Sequence, residues 1–275
     1  MSLAIFNYAI AENSPSPASL WCEDKAATPF RVWVYTSTMN GERLLPFFVW
    51  HYKFAQQFVV YDYNSTDRTR EIAGMCSKII LRDVPELSTA EEHMAFTSYF
   101  RNQAWKEARG KADYIIMADL DEFLVFNASG GIPALLAMDE GRSAIFKTIA
   151  YDMVNLDTNV TLERPLTEQV KWGYRANPVF YDKVLMFSTT LEDISYSPGA
   201  HFVHPRGANI SVYSSLLLLN LHQKMAFGED YAKENVKKLR EFFKMNKFPG
   251  GWGGQYASYE LWRSSVSGKL EKIIP

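Results

Sequence analysis

An open α/β sheet, mostly parallel and flanked by helices, is the fold class this 275-residue sequence predicts. Three observations carry the prediction. Short β-branched and aromatic runs alternate four times with helical patterns between residues 31 and 118. Carboxylates recur at the ends of those runs. The composition, 47% hydrophobic and 15% aromatic, supplies the core of one large domain. Strand and helix in alternation argue for parallel strands joined by right-handed crossovers, with any ligand beyond their carboxyl ends.

The elements follow in order. Residues 11–29, rich in Ser, Pro and Ala, read as a lead-in segment. Residues 31–37 (RVWVYTS) form the first strand, followed by Asn40-Gly41 and a helical pattern over 42–55 with Pro46 in its first turn. Residues 57–61 (QFVVY) are the second strand, ending at Asp62; residues 64–67 (NSTD) make a turn whose oxygens can cap a helix to Cys76. A third strand spans 78–81 (KIIL). Residues 88–91 (STAE) have capping-box spacing and open a long helix to Arg109, after which 114–118 is the fourth strand. A further strand covers 144–151, residues 195–199 (SYSPG) read as a loop, and 229–247 as an amphipathic helix covering the sheet. The expected organisation is a lead-in over 1–30, a ligand-binding half over 31–126 and a C-terminal half of the same domain over 127–275.

Charge excludes some functions. The formal net charge is −2 and no basic block stands out, so nothing argues for nucleic-acid binding. No apolar run approaches the roughly 18 residues of a membrane span, which predicts a soluble chain for which peripheral membrane contact remains open. Cys22 and Cys76 have neither metal-ligand spacing nor the density of a disulfide scaffold; they read as two structural thiols in a reducing compartment, the cytoplasm.

The most informative stretch is Asp113-Tyr-Ile-Ile-Met-Ala-Asp-Leu-Asp-Glu-Phe-Leu124, an apolar strand driven into Asp119, Asp121 and Glu122. In an extended chain residues i and i+2 share a side, so Asp119 and Asp121 can converge on a divalent cation, and a metal there can hold a diphosphate. Asp62 ends the second strand on the same edge. The first strand ends there too, where the ring of Tyr35 and the hydroxyl of Thr36 can flank a nucleotide base.

Asp62-Tyr-Asn-Ser-Thr-Asp67 with Arg68-Thr69, the Arg101-Asn102 pair, and Ala118-Asp-Leu-Asp-Glu-Phe123 resemble, in order and spacing, the nucleotide-binding turn, Arg-Asn pair and Asp-x-Asp element of GT-A glycosyltransferases of the family 2-like group. Lys183-Val-Leu-Met-Phe, Gly199-Ala-His-Phe-Val-His204 and Leu218-Leu-Asn-Leu-His-Gln-Lys224 resemble later elements of the bacterial "glycosyl transferase family 2, type 4" and family 92-like proteins. The resemblance implies a GT-A fold with a C-terminal acceptor-binding extension. It implies a metal-dependent enzyme that moves a sugar from a nucleotide-sugar donor, a UDP-sugar, to a saccharide or lipid-linked acceptor with inversion.

It also implies roles. Asp62, with Asp67 in its turn, binds the nucleoside; Arg101 pairs with a phosphate or a site carboxylate; Asp119 lies near ribose and metal; Asp121 ligates Mn²⁺ or Mg²⁺; His222 closes the metal shell; and Lys224 meets the diphosphate. Glu122 is left to orient a ligand from behind. Asp193, in Leu191-Glu-Asp193, is the first candidate for the general base and Asp152 the second. His201 and His204 suit a structural role, and His51 and His93 fall in predicted helices without chemistry. Tyr151, Trp172, Tyr174, Tyr181 and the Gly-rich 248–254 are candidates for an acceptor site. Two other readings stay open. A nucleotidyltransferase would use the same edge but wants a Gly-rich basic loop after the first strand, which is not seen; a non-catalytic sugar-nucleotide or carbohydrate-binding module would bind without turnover.

Overall fold

A computed structural model describes residues 17–23, 28–155, 160–175, 178, 182–197, 200–245, 263–264 and 268–274. The parallel half is as the alternation requires. Strands β1 (Val32–Thr38), β2 (Gln57–Asp62), β3 (Ile79–Asp83) and β4 (Tyr114–Met117) are parallel neighbours in the order β3-β2-β1-β4. Helices α2 (Leu45–His51), α3 (Thr69–Gly74) and α4 (Ala90–Asn102) make the crossovers, preceded by a short α1 (Pro17–Trp21) within the expected lead-in. The long predicted helix breaks into α4 and a 3-10 turn, Ala104–Ala108. The capping box is shifted by one residue, because Thr89 accepts from the Glu92 N–H while the Glu92 carboxylate accepts from the Thr89 N–H.

The same sheet continues into the second half, where directions mix. Strand β8 (Val184–Ser188) lies antiparallel to β4, and β6 (Ile145–Val154) antiparallel to β8. The long β11 (Val212–Met225) runs parallel to β6 on one side and antiparallel to β5 (Glu122–Phe126) on the other. Strand β7 (Trp172–Arg175) pairs with β6, and β12 (Glu271–Lys272) with β7. Between them in sequence lie α5 (Gly131–Asp139) and the one-turn α6 (Leu166–Gln169). One core, including Phe48, Tyr52, Phe123 and Leu221, fills one side of the sheet; a second, with Trp105, Phe187 and Ile115, packs under α4 and the 3-10 turn.

Two readings are corrected here. Residues 193–196, half in the expected loop, form strand β9 (Asp193–Tyr196) of a separate ribbon with β10 (Val203–Arg206), since Ile194 and Tyr196 have an apolar surface to bury. Cys22 and Cys76 are joined in a disulfide, not two thiols. Such a bond persists where the environment is oxidising, which stands against the reducing compartment expected from the cysteine count. No helix among the described residues is long and apolar enough to cross a membrane. The final helix, α7 (Gly228–Met245), buries Ala232 and Val236 against Val154 and Met225; the side chains of 238–245, the Gly-rich 248–254 and Tyr181 lie outside the described residues.

Candidate functional site

The carboxyl edge of the parallel half is built from two latched turns. After β1 the chain turns through Asn40, at φ 56°, whose carboxamide oxygen accepts from the Thr66 N–H at 2.8 Å while its own N–H donates to Ser65 Oγ at 2.8 Å. Gly41 N–H donates to Thr69 Oγ1 at 2.8 Å. A Cβ at Gly41 would lie 2.3 Å from Thr38 Oγ1 and 2.5 Å from Leu120 Cδ2, so only glycine lets this turn approach the one that carries the acidic motif.

Asp62 and Asp67 hold these turns together. Asp62 is fully buried and accepts from Ser65 Oγ (2.5 Å), the Ser65 N–H (3.2 Å) and Arg70 Nη1 (2.6 Å), the last also bridging Asp83 at 2.7 Å. Asp67 accepts from the N–H groups of Thr69 (2.9 Å) and Glu42 (3.1 Å). In this structure their oxygens accept from donors of these turns and of the helix that follows. Tyr35 is likewise a packing residue: its ring is fully buried and its hydroxyl donates to Glu107 at 3.1 Å, because this face of β1 is covered by the 3-10 turn. Thr36 is buried beside it. The aromatic ring at this edge belongs to Tyr63, half-buried against Phe96 and within electrostatic reach of Asp119 and Arg101. It follows the strand by one residue, a position the strand pattern passes over.

The acidic motif is a turn, and that reassigns its residues. Strand β4 ends at Met117, and the Glu122 N–H donates to the Asp119 carbonyl at 2.9 Å. The alternation expected of an extended chain does not apply, so Asp119 and Glu122, three apart, come together: the Asp119 N–H donates to Glu122 Oε2 at 2.9 Å. Glu122, not Asp121, is the centre. Fully buried, it receives Lys183 Nζ at 2.7 Å, His222 Nε2 at 2.7 Å and Asn220 Nδ2 at 3.3 Å. Burial alone would raise its pKa, but Lys183 and His222 hold it well below the usual carboxylate range.

Sheet register sets this grouping. His222 on β11 stands opposite Glu122 on β5 and opposite Asp152 on β6. Its imidazole spans the two, with Nδ1 3.1 Å from Asp152 Oδ1. Burial would lower the histidine's pKa, yet the bonds to Asp152 and Glu122 raise it to about 9, so both ring nitrogens carry protons at neutral pH. Burial works against ionised Asp152 too, but His222, Lys224 and the Tyr174 hydroxyl bring its pKa down. Lys224 lies within electrostatic reach of both Asp121 and Asp152. Arg101, 5% exposed, donates from Nη2 to Asp119 Oδ1 at 2.5 Å, and Lys183 approaches Asp119 Oδ2 at 3.6 Å. Asp121 differs from the rest: burial raises its pKa, and its carbonyl accepts from the Gln223 N–H at 2.7 Å.

The structure therefore brings together Arg101, Asp119, Asp121, Asp152, His222 and Lys224 of the predicted residues, adds Glu122 as hub, and contributes Lys183 and Asn220, which sequence reasoning missed. Lys183 had a signal: a lysine at the mouth of the apolar run Val184-Leu-Met-Phe must either snorkel or find a buried carboxylate. Asp193 is not part of this group. It sits on the β9–β10 ribbon, held by Lys106 at 3.0 Å and by Arg206. His51 accepts no role in the site; burial lowers its pKa to about 4 and its Nε2 is 2.9 Å from the Leu124 carbonyl. His204 is exposed on β10 and His201 lines a cavity of about 470 Å³ with Lys147 and Phe202.

The expected metal shell of Asp119, Asp121 and His222 does not fit these residues. Asp119 faces two cations, and the imidazole offers a lone pair to nothing while it lies between two carboxylates. Among the described residues no group of three or more His, Cys, Asp or Glu is arranged to hold a metal ion. No protein-family model matches this chain, and no curated protein matches it.

Proposed function

We propose that this chain is a glycosyltransferase that moves a sugar from a nucleotide-sugar donor, a UDP-sugar, to a saccharide or lipid-linked acceptor with inversion. One observation carries the reading: four carboxylates and four cationic side chains, from both halves of the fold, meet at the carboxyl edge of a parallel sheet, where open α/β folds bind nucleotides. The resemblance in sequence of 62–69, 101–102 and 118–123 to GT-A elements supports it, with the fold agreeing at the level of a mostly parallel α/β sheet.

Transfer needs three things from the chain. The leaving diphosphate must meet positive charge, which Arg101, Lys183 and Lys224 supply at this edge. The nucleobase must be oriented by a flat group at the rim, a role proposed for Tyr63 because its ring lies near Asp119 and Arg101. The acceptor hydroxyl must lose a proton on the far side of the sugar; Asp152 takes this role before Asp193, because it stands in the cluster and beside the half-buried Tyr174, which faces it across the strand pair. No step is routed through Mn²⁺ or Mg²⁺, since of the residues expected to hold the ion Asp119 is held by Arg101, and His222 lies between Glu122 and Asp152.

Calorimetric titration of UDP, GDP and dTDP, followed by a turnover assay with the sugar nucleotides of the one that binds, tests the reading. Selective binding and slow donor hydrolysis are expected, with Asp152→Asn binding the donor as well as wild type but losing transfer. Binding without any turnover would instead make the chain a sugar-nucleotide-binding module. Binding of none of the three would remove the nucleotide reading altogether.

A further inference from the structure

The pairing of Asp119 with Arg101 and Lys183 is the arrangement of an anion site that a side chain of the protein itself occupies. Three observations lead there. Arg101 is buried, yet it spends one nitrogen on Asp119, while Nε and Nη1 are buried with no hydrogen-bond partner among the described residues. A guanidinium with unmet donors is costly unless a further acceptor arrives. Lys183, equally buried, is bonded to Glu122 at 2.7 Å and stands off from Asp119 at 3.6 Å, too far for a hydrogen bond. Asp119 is the most exposed of the three, with 37% of its side chain open against 6% for each cation. The cations are thus held from behind by Glu122 and the core, and the carboxylate over them is the exposed, replaceable member.

We propose that Arg101 and Lys183 form a metal-independent binding site for a phosphate or diphosphate group, and that Asp119 is its competing internal anion. The inference rests on the nucleotide-sugar reading for its choice of ligand, but not for its geometry. Phosphate oxygens offer the same kind of acceptor as the carboxylate and more of them, so they can take over the Arg101 donor now given to Asp119 and engage the unmet ones. Asp119 then swings toward solvent, where it can accept from a ribose hydroxyl. Under this assignment Asp119 opposes anion binding; as a metal ligand it would promote it.

The opposite signs give the test. Inorganic diphosphate and UDP are titrated calorimetrically into wild type and Asp119→Asn, each in EDTA and again with Mn²⁺, with Mn²⁺ alone titrated into wild type. The substitution is nearly isosteric at a part-exposed side chain, and thermal melts confirm folding. Expected are diphosphate binding in EDTA, at least a fivefold tightening in Asp119→Asn, and little added by Mn²⁺. Binding that requires Mn²⁺ and weakens in Asp119→Asn would overturn the inference and leave the glycosyltransferase reading standing. No binding of diphosphate or UDP under either condition would overturn both. Diphosphate bound in EDTA with UDP rejected would keep the anion site and sink the nucleotide reading.

Discussion

The two halves of the sheet spend their buried charge differently. In the parallel half, Asp62 and Asp67 close contacts with residues two to eight positions away, and with Asn40's turn, so each carboxylate is absorbed into the loop that carries it. In the mixed half, Glu122 reaches Lys183 61 residues on and His222 100 residues on, and His222 returns 70 residues to Asp152. Local carboxylates build a turn; distant ones build a charge cluster. A motif match cannot tell these apart, because Asp62 and Asp119 both end strands on the same edge.

The sharpest way to break the comparison is at Glu122. Glu122→Ala leaves Lys183 and His222 without their shared anion in a buried setting, and removing one partner of a buried ion pair costs about 3–5 kcal/mol. Urea unfolding should show that loss. Glu122→Gln should recover part of it, since the amide oxygen still accepts from one cation. A loss under about 1 kcal/mol would mean that the cluster is solvated after all, in the manner of a surface pair.

What the sequence conveyed divides along the same line. The parallel strands, crossover helices and edge were legible because β-branched runs, caps and Asn-Gly turns are local signals. Arg101 with Asp119 was legible by resemblance. An extended segment sets Asp119 beside Asp121; the turn from Asp119 to Glu122 sets Asp119 beside Glu122 instead. The register that sets His222 opposite both Glu122 and Asp152 depends on how β11 slots between β5 and β6, which no local pattern encodes. Tyr35 and Asp193 stand apart from the cluster for one reason: each is held by a partner that no local pattern announces, Glu107 or Lys106.

The disulfide ties the parallel half to the segment before it. Cys22 follows α1 and Cys76 follows α3, 54 residues apart, so the bridge ties the end of α1, which packs on α2, to the end of α3. The double variant Cys22→Ser with Cys76→Ser should lose about 2–4 kcal/mol. Melting with and without reductant checks it: wild type should fall toward the variant in reductant, while the variant should not respond. The cluster lies elsewhere, so diphosphate affinity should stay within twofold of wild type.

Two histidines extend the contrast to pH. His222 has a folded pKa of about 9, above its ordinary 6.5, so its contribution is complete below pH 6.5 and is lost as pH rises through about 9. His51 is the reverse. Buried and neutral, with a folded pKa near 4, it contributes fully above pH 6.5 and loses that contribution as pH falls toward 4. Stability should therefore peak near pH 6.5 and decline on both sides by about 1–3 kcal/mol, the scale of a shift of this kind. His222→Gln should flatten the alkaline limb alone, and His51→Gln the part of the acid limb above the carboxylate range. An unchanged alkaline limb in His222→Gln would show that the imidazole is not held as a cation.

The smallest effect separates loop from ligand most cleanly. Asp67 lies within the nucleotide-turn motif, yet its oxygens are taken by the N–H groups of Thr69 and Glu42 and by Thr69 Oγ1 at 2.5 Å. Asp67→Asn keeps one acceptor and loses the charge, so it should cost about 0.5–1.5 kcal/mol, the net worth of such a bond. Nucleotide affinity should move by less than twofold, while Asp119→Asn, at comparable cost in stability, should change it at least fivefold. Were Asp67→Asn to weaken UDP binding tenfold without lowering the melting temperature, the carboxylate would have to leave the turn and reach the nucleoside. The local half of the sheet would then take part in recognition directly, and the division drawn between the two halves would fail at its best-bonded turn.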